Sequence, residues 1–326
     1  MKPYAYRQVL SAVELERIRE VVDLVDIRQD EEPSDESLAD PRLAEVEIVL
    51  SGWGMPRMTP RMLRALPALK AIFHAAGSVK SFVTEEMWDR EIRVSSAVDM
   101  NARPVAEFTF SMIVLSLKRV WSRITAQREL GLYLPEDPYL VGAYGSTVAL
   151  LGLSRTGRMV LDQIRRLDVS VIAYDPVVSR EEAARLGVEL VSLEEAFARA
   201  HVVSCHIPLL EETVGLLRGE HFNAMRPGAT FINTARGAIV REDELAKVLQ
   251  ARPDLWAILD VLTTEPPGED SVLPSMPNVI VTPHLAGSLG PECRRMAGAM
   301  IDEIERYVAG VEWRAEVRRS QLAICA

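Results

Sequence analysis

The residues of this sequence that could do chemistry sit in short segments, each following an apolar run. Val148–Leu151 leads into Gly152-Leu-Ser154-Arg155-Thr156-Gly157, and a stretch of helical spacing follows to Leu167. Glycine-x-glycine-x-x-glycine between a strand and a helix is the pattern that cradles a dinucleotide pyrophosphate, because the helix N-terminus offers unpaired backbone N–H groups. Ser154 stands at the middle glycine position, so the pattern matches at Gly152 and Gly157 and leans on its strand-to-helix context. About 20 residues further on, the run Ser170–Tyr174 ends at Asp175. A carboxylate there suits ribose hydroxyls and repels a 2′-phosphate, so NAD is expected ahead of NADP, although Ser179 and Arg180 lie close by in the chain. Asp175-Pro176 is equally ordinary strand-end turn chemistry, and the two readings are compatible.

Three later segments end on polar or charged residues: Phe231-Ile-Asn-Thr234-Ala235-Arg236-Gly, Ile258-Leu-Asp260-Val-Leu-Thr-Thr-Glu265-Pro, and Val281-Thr-Pro-His284-Leu-Ala-Gly287-Ser. If each apolar run is a strand of one open parallel sheet, all three ends converge on the crevice at its carboxyl edge, where such sheets bind ligands.

The elements that must position these groups are strands alternating with helices. Val22–Ile27, Val46–Leu50, Leu69–Phe73 and Ile92–Val94 read as strands, separated by helical spacing at Ala12–Glu20 and Pro60–Leu66. An acidic segment, Asp30 to Glu36, reads as a solvated loop. Residues 103 to 130 read as one long helix, opened by Pro104 near its first turn and closed by Gly131. Pro135, Pro138 and Gly142 mark an irregular segment. Seven further strands are expected at Val148–Leu151, Val169–Tyr174, Val188–Val191, Val202–His206, Thr230–Asn233, Ala257–Asp260 and Val279–Val281, enough for a complete doubly wound domain. A final helix, Pro291 to Val308, follows.

Composition bounds the function classes. The 326 residues are 48% hydrophobic and 26% charged, which suits two domains of an ordinary globular protein. A net charge of −10 opposes binding to nucleic acid or an anionic membrane surface. Cys205, Cys293 and Cys325 are odd in number with no CxxC spacing, which suggests neither a disulfide framework nor a metal site and fits a reducing cytoplasm. The first ten residues do not read as a secretory signal, and Phe108–Leu117 is too short an apolar stretch to span a membrane.

Segments 233–240, 259–266 and 282–288, with Asn101-Ala-Arg-Pro-Val105-Ala-Glu107, resemble the signature blocks of the D-isomer-specific 2-hydroxyacid dehydrogenases, in order and from about residue 40 onward. The resemblance implies a Rossmann-type NAD-binding domain (103–284) inserted into a flavodoxin-like substrate (catalytic) domain (1–102 and 285–326), both doubly wound on parallel sheets. It implies an oxidoreductase that uses NAD to interconvert a 2-oxo acid and a D-2-hydroxy acid by hydride transfer. By position, Arg236 matches the arginine that binds the substrate carboxylate and 2-oxo oxygen, a task suited to a permanently charged planar fork. His284 matches the acid/base, and Glu265 the carboxylate that orients it and favours the imidazolium. Asp260 matches an aspartate near the nicotinamide carboxamide. Val105, the loop His206-Ile207-Pro208, Thr213, Thr234, Ala235 and Gly287 match further positions around the dinucleotide. A homodimer built on the nucleotide domains and on the helix after Pro104 is also implied.

The chain departs from the family pattern where a G-V-D-like turn is usual. Here Ala76-Gly77-Ser78-Val79-Lys80 places a serine for a glycine and a lysine for an aspartate, with the Gly77 and Ser78 amides kept as substrate contacts. Trp53, at another strand end, is expected to line the substrate pocket, and His74 is open to a structural or a functional reading. Two alternatives remain on the same scaffold: a cofactor-sensing transcriptional protein, and an oxidoreductase acting on formate or phosphite. Glu265 argues against formate, because formate enzymes of related fold carry glutamine at that position.

Overall fold

The computed structural model describes residues 3–25, 33–131 and 137–322. Its strands are β1 (Ile48–Ser51), β2 (Ala71–His74), β3 (Arg93–Ser96), β4 (Ser146–Leu151), β5 (Val169–Tyr174), β6 (Glu189–Leu190), β7 (Val202–Cys205), β8 (Thr230–Asn233), β9 (Trp256–Leu259), β10 (Val279–Val281) and β11 (Glu316–Val317). The described residues divide into two compact units, one running up to Ala102 and resuming at Ser288, the other spanning Arg103–Gly287.

The second unit holds seven strands in the order β10-β9-β8-β7-β4-β5-β6, every pair parallel. Its strands are apolar on both faces because helices cover both. Along β4, Val148 and Leu150 pack with Ile113, Val160 and Ile164 from helices Val98–Leu117 and Arg155–Ile164. Ala149 and Leu151 point the other way, into a core with Phe197, Phe222, Leu245 and Leu249. Each large side chain buried this way contributes about 1.5–3 kcal/mol. The strand order reverses at β4, which has β5 on one side and β7 on the other, and this is the place where such sheets open a crevice at their carboxyl ends.

The long helix expected over 103–130 is two helices. The first, Val98–Leu117, begins six residues before Pro104, which therefore lies inside it and withholds the N–H that the Met100 carbonyl would accept. It stops because Arg119 takes a left-handed conformation, φ +50°, with Nε donating to Asp137 at 2.7 Å and Nη1 to the Gly228 carbonyl. The second, Val120–Leu130, ends at Gly131 in a left-handed cap. Pro135 lies outside the described residues; Pro138 and Gly142 fall in irregular chain.

In the first unit β1, β2 and β3 pair in parallel and β11 adds antiparallel to β3, a mixed four-stranded sheet where an all-parallel one was expected. Among the described residues of the expected strand Val22–Ile27, none is in a strand. Residues 22–25 follow helix Ala12–Val21 without pairing, and 26–27 lie outside the described residues. The helical spacing of 12–20 carries on through Val21, so the apolar Val21–Val22 packs on the unit's core instead of extending a sheet. Of the acidic segment, 30–32 are outside the described residues, while Asp35 and Glu36 open a short helix, Asp35–Leu38, capped by the Ser34 hydroxyl. The final helix, Glu292–Val308, buries Met296, Met300, Ile301 and Ile304 at helical spacing against Phe73 and Trp313. Cys205 and Cys293 are buried free thiols, and Cys325 lies outside the described residues.

Candidate active site

The glycine loop is dictated by contact as much as by backbone angle. Gly152 has φ +95°, and a Cβ there would lie 2.9 Å from the His206 carbonyl carbon and oxygen. A Cβ on Gly157 would lie 2.2 Å from the Gly152 carbonyl oxygen, so the helix can approach the strand only as glycine. Ser154 has no such need. Its backbone is extended, φ −62° and ψ 179°, and its hydroxyl caps helix Arg155–Ile164 by accepting from the Gly157 amide. Arg155 is exposed and Thr156 half-buried in that helix's first turn. Asp175 directly follows β5, and its Oδ2 accepts from the Leu153 amide at 2.7 Å while Oδ1 accepts from Val177 and Val178 at 2.8 and 3.1 Å. The turn reading of Asp175 is thus real, and the same carboxylate also ties the end of β5 to the glycine loop. This cradle, which only glycine leaves open at the end of a helix dipole, fits a dinucleotide.

Around it, His206 follows β7 with Nε2 against Ser204 Oγ at 2.9 Å, and burial pushes its imidazole down to about 4, keeping it neutral. Ile207 is buried in the core. The Thr213 hydroxyl is used inside its own loop, donating toward Pro208 at 2.7 Å and accepting from the Leu210 amide at 2.8 Å. The Val105 carbonyl accepts from Thr109 Oγ1, which also meets Thr234 Oγ1 at 2.9 Å.

Arg236 is set by its neighbours. Asn233, 1% exposed at the end of β8, accepts from the Ala235 amide at 3.0 Å and donates to the Arg236 carbonyl at 2.9 Å. Arg236 Nη1 donates to the Ala235 carbonyl at 2.6 Å. Burial pulls its guanidinium below the ordinary value, opposed by the nearby charge of Glu265, and it stays cationic at neutral pH. Gly237 lies against the other segment, since a Cβ on it would lie 2.0 Å from the Leu262 carbonyl carbon and 2.2 Å from the Thr263 nitrogen.

That second segment is pinned in turn. Glu242 accepts from the Thr263 amide at 2.6 Å, and Glu265 Oε1 from the Leu262 amide at 3.0 Å. The other Glu265 oxygen meets His284 Nδ1 at 2.6 Å, which leaves Nε2 as the ring nitrogen not engaged by Glu265. His284 has φ +51°, a conformation that costs a non-glycine residue about 1–3 kcal/mol and persists only where its surroundings enforce it. Asp260 is buried and faces the backbone of 282–286, and Gly287 is half-buried at the end of that loop. Asn233, Gly237 and Thr282 join the site without having been singled out. Their signal is only their place, two or three residues from Ala235, Arg236 or His284 at strand ends.

In the first unit, Trp53 is half-buried and packs on the core that contains Phe73. Gly77 and Ser78 are half-buried, with the Ser96 hydroxyl donating to the Gly77 carbonyl at 2.5 Å. Among the described residues no acceptor takes their amide protons. His74 is buried with Nδ1 on Ser51 Oγ at 2.8 Å, and burial pushes it down to about 4.

Residues 111–286 match the family model for the D-isomer specific 2-hydroxyacid dehydrogenase, NAD binding domain. The D-3-phosphoglycerate dehydrogenase of Mycobacterium bovis is 33% identical over 254 residues, 77% of this chain and 47% of that protein. The human protein of the same name is 33% identical over 232 residues, 71% of this chain and 43% of that one. The chain thus spans about half the length of the curated relatives it matches. Among solved structures, the TT0316 protein of Thermus thermophilus aligns at a TM-score of 0.77 and 26% identity, covering 95% of this chain and 98% of that one. A D-isomer specific 2-hydroxyacid dehydrogenase from Lactobacillus delbrueckii ssp. bulgaricus in its NAD complexed form aligns at 0.76 and 21% identity, covering 95% and 98%, a likeness of fold. With more than half of its length matching that family's NAD-binding domain, on the parallel sheet and glycine loop that such a domain requires, the chain belongs to the D-isomer specific 2-hydroxyacid dehydrogenase family.

Proposed function

We propose that the protein reduces a 2-oxo acid to a D-2-hydroxy acid, and catalyses the reverse, with His284, Glu265 and Arg236 as the working groups. The observation that carries this reading is the 2.6 Å contact between His284 Nδ1 and Glu265, with the half-buried Arg236 guanidinium in the field of the same carboxylate. When bound, NADH supplies a hydride to C2 of the substrate, and the electron pair displaced onto the carbonyl oxygen then needs a proton. His284 Nε2 delivers that proton, while Glu265 holds Nδ1–H and so keeps the ring in the tautomer and orientation for transfer. Arg236 clamps the carboxylate and stabilises charge growing on the oxygen. In the oxidative direction Nε2 takes the proton back. Gly152, Gly157 and the helix N-terminus hold the pyrophosphate, with Asp175 on the ribose; within the first unit, the Gly77 and Ser78 amides form an anion-binding turn.

The finer readings belong here too. Tyr139, Val141 and Tyr144 are exposed at 39%, 46% and 85%, and Ile124 at 37%, apolar surface of the kind a second copy covers in a homodimer. Buried free thiols at Cys205 and Cys293 accord with a reducing cytoplasm. Among the described residues no helix is long and apolar enough to cross a membrane. The test is loss of NADH absorbance with glyoxylate, hydroxypyruvate, pyruvate, phenylpyruvate, 2-oxoisocaproate and 2-oxoglutarate, in wild type and in His284→Ala. Turnover abolished by the substitution, with NADH binding retained, supports the assignment; an undiminished rate in His284→Ala removes it.

A further inference from the structure

Asp260 is 2% exposed, and among the described residues its side-chain hydrogen bonds all run to the loop that carries His284. Its Oδ1 accepts from the Thr282 hydroxyl at 2.6 Å and from the Leu285 amide at 2.9 Å; its Oδ2 accepts from the Ala286 amide at 3.0 Å. The anchor itself is held by the sheet, because the Asp260 amide donates to the Asn233 carbonyl at 3.0 Å and the Thr282 amide to the Leu259 carbonyl at 2.9 Å. His284 lies between the gripped positions, at φ +51°, with its amide on the Thr282 carbonyl at 2.8 Å. A non-glycine residue stays in that region only when neighbours over-determine it. Here one carboxylate holds the residue two before it and the two residues after it.

We propose that Asp260 is a positioning residue for the His284 imidazole, fixing residues 282–286 so that Nδ1 reaches Glu265, and that it does so with or without a bound dinucleotide. Its kinetic consequence rests on the reading of His284 as the acid/base; the clamp itself does not. The chemistry requires a carboxylate, because the Leu285 and Ala286 amides, which can only donate, take one oxygen each. An asparagine of the same shape would turn an N–H toward one of those donors, leaving both unsatisfied. The second lone pair on Oδ2 remains for a cofactor amide, so clamp and cofactor contact are compatible.

Amide hydrogen exchange, read without added nucleotide, tests the clamp in Asp260→Asn and Thr282→Val. The Leu285 and Ala286 amides are expected to exchange at least about 10-fold faster in Asp260→Asn, with the β8 and β9 amides of Ile232 and Ile258 unchanged; Thr282→Val should move the same loop amides by less. With a 2-oxo acid that the wild type turns over, kcat is expected to fall about 10- to 100-fold with little change in NADH affinity. Unchanged exchange at 285 and 286, or a uniform rise through the sheet, overturns the clamp, as does weakened NADH binding with kcat intact. Should Asp260→Asn fail to fold, unchanged loop exchange in Thr282→Val overturns it instead. Faster loop exchange in a wild-type background that turns over no 2-oxo acid upholds the clamp and removes the reductase reading.

Discussion

Gly237→Ala is the sharpest test of how the site is held together. The added methyl carbon would begin 2.0 Å from the Leu262 carbonyl carbon and 2.2 Å from the Thr263 nitrogen, where real Cβ atoms keep at least 3.0 Å, so about 1 Å must open between two backbone segments. Neither can yield alone. Residues 234–236 are tied down by Asn233, and 262–265 by Glu242 and by the Glu265 bond to Leu262. The separation therefore moves Arg236 away from the Glu265 and His284 pair, and a misplacement of that size costs about 100-fold in rate. Overpacking against backbone costs about 1–3 kcal/mol of stability, a fall in Tm of several degrees for a domain of this size. Gly268 supplies the comparison, since a Cβ there meets nothing within 4 Å and Gly268→Ala should be silent. Steady-state turnover of the best 2-oxo acid and thermal melts read both variants. A Gly237→Ala enzyme with wild-type rate and Tm, or a Gly268→Ala enzyme equally impaired, would refute the reasoning.

Asp175→Ala removes the acceptor of three backbone amides as well as the proposed ribose contact, so both NADH affinity and stability should drop, the latter by about 1–3 kcal/mol; weaker binding with an unchanged melt would show that the backbone bonds matter little. His74 and His206 are held neutral by burial down to about 4, whereas the unfolded chain protonates them near their ordinary value of 6.5. Protons therefore favour the unfolded state as pH falls from 6.5 towards 4. The contribution is fully present above that window and shrinks by about 2 kcal/mol per histidine at pH 5. A denaturation midpoint equal at pH 7.5 and pH 5 contradicts this. Sedimentation at micromolar concentration should show a dimer, and replacing Tyr144 and Val141 with serine should weaken it; a monomeric wild type rules the dimer out.

Much of the candidate site was legible because its placement obeys local rules. A parallel strand buried on both faces reads as a short apolar run, and its ligand-facing residues come directly after it, which is why Arg236, Glu265 and His284 stand out. The first-unit sheet was harder. Val22–Val25 has strand composition, but the helix before it runs on to Val21, and the two-residue β11 pairs with β3 from more than 200 positions away. The break at Arg119 left no glycine or proline to read, because the bonds that stabilise its left-handed backbone come from Asp137 and Gly228.

Residue types and their order were enough to mark the family, the cradle at Gly152 and Gly157, and the set of groups at the strand ends. These depend on side-chain chemistry and on periodicity, both written locally in the chain. What only the tertiary structure decided is how those groups are held: that Asp175 ties the end of β5 to the glycine loop, that Gly237 is a glycine because Leu262 lies against it, and that Asp260 grips both flanks of His284. Each is a contact between segments more than 20 residues apart, made by packing that no window of sequence contains.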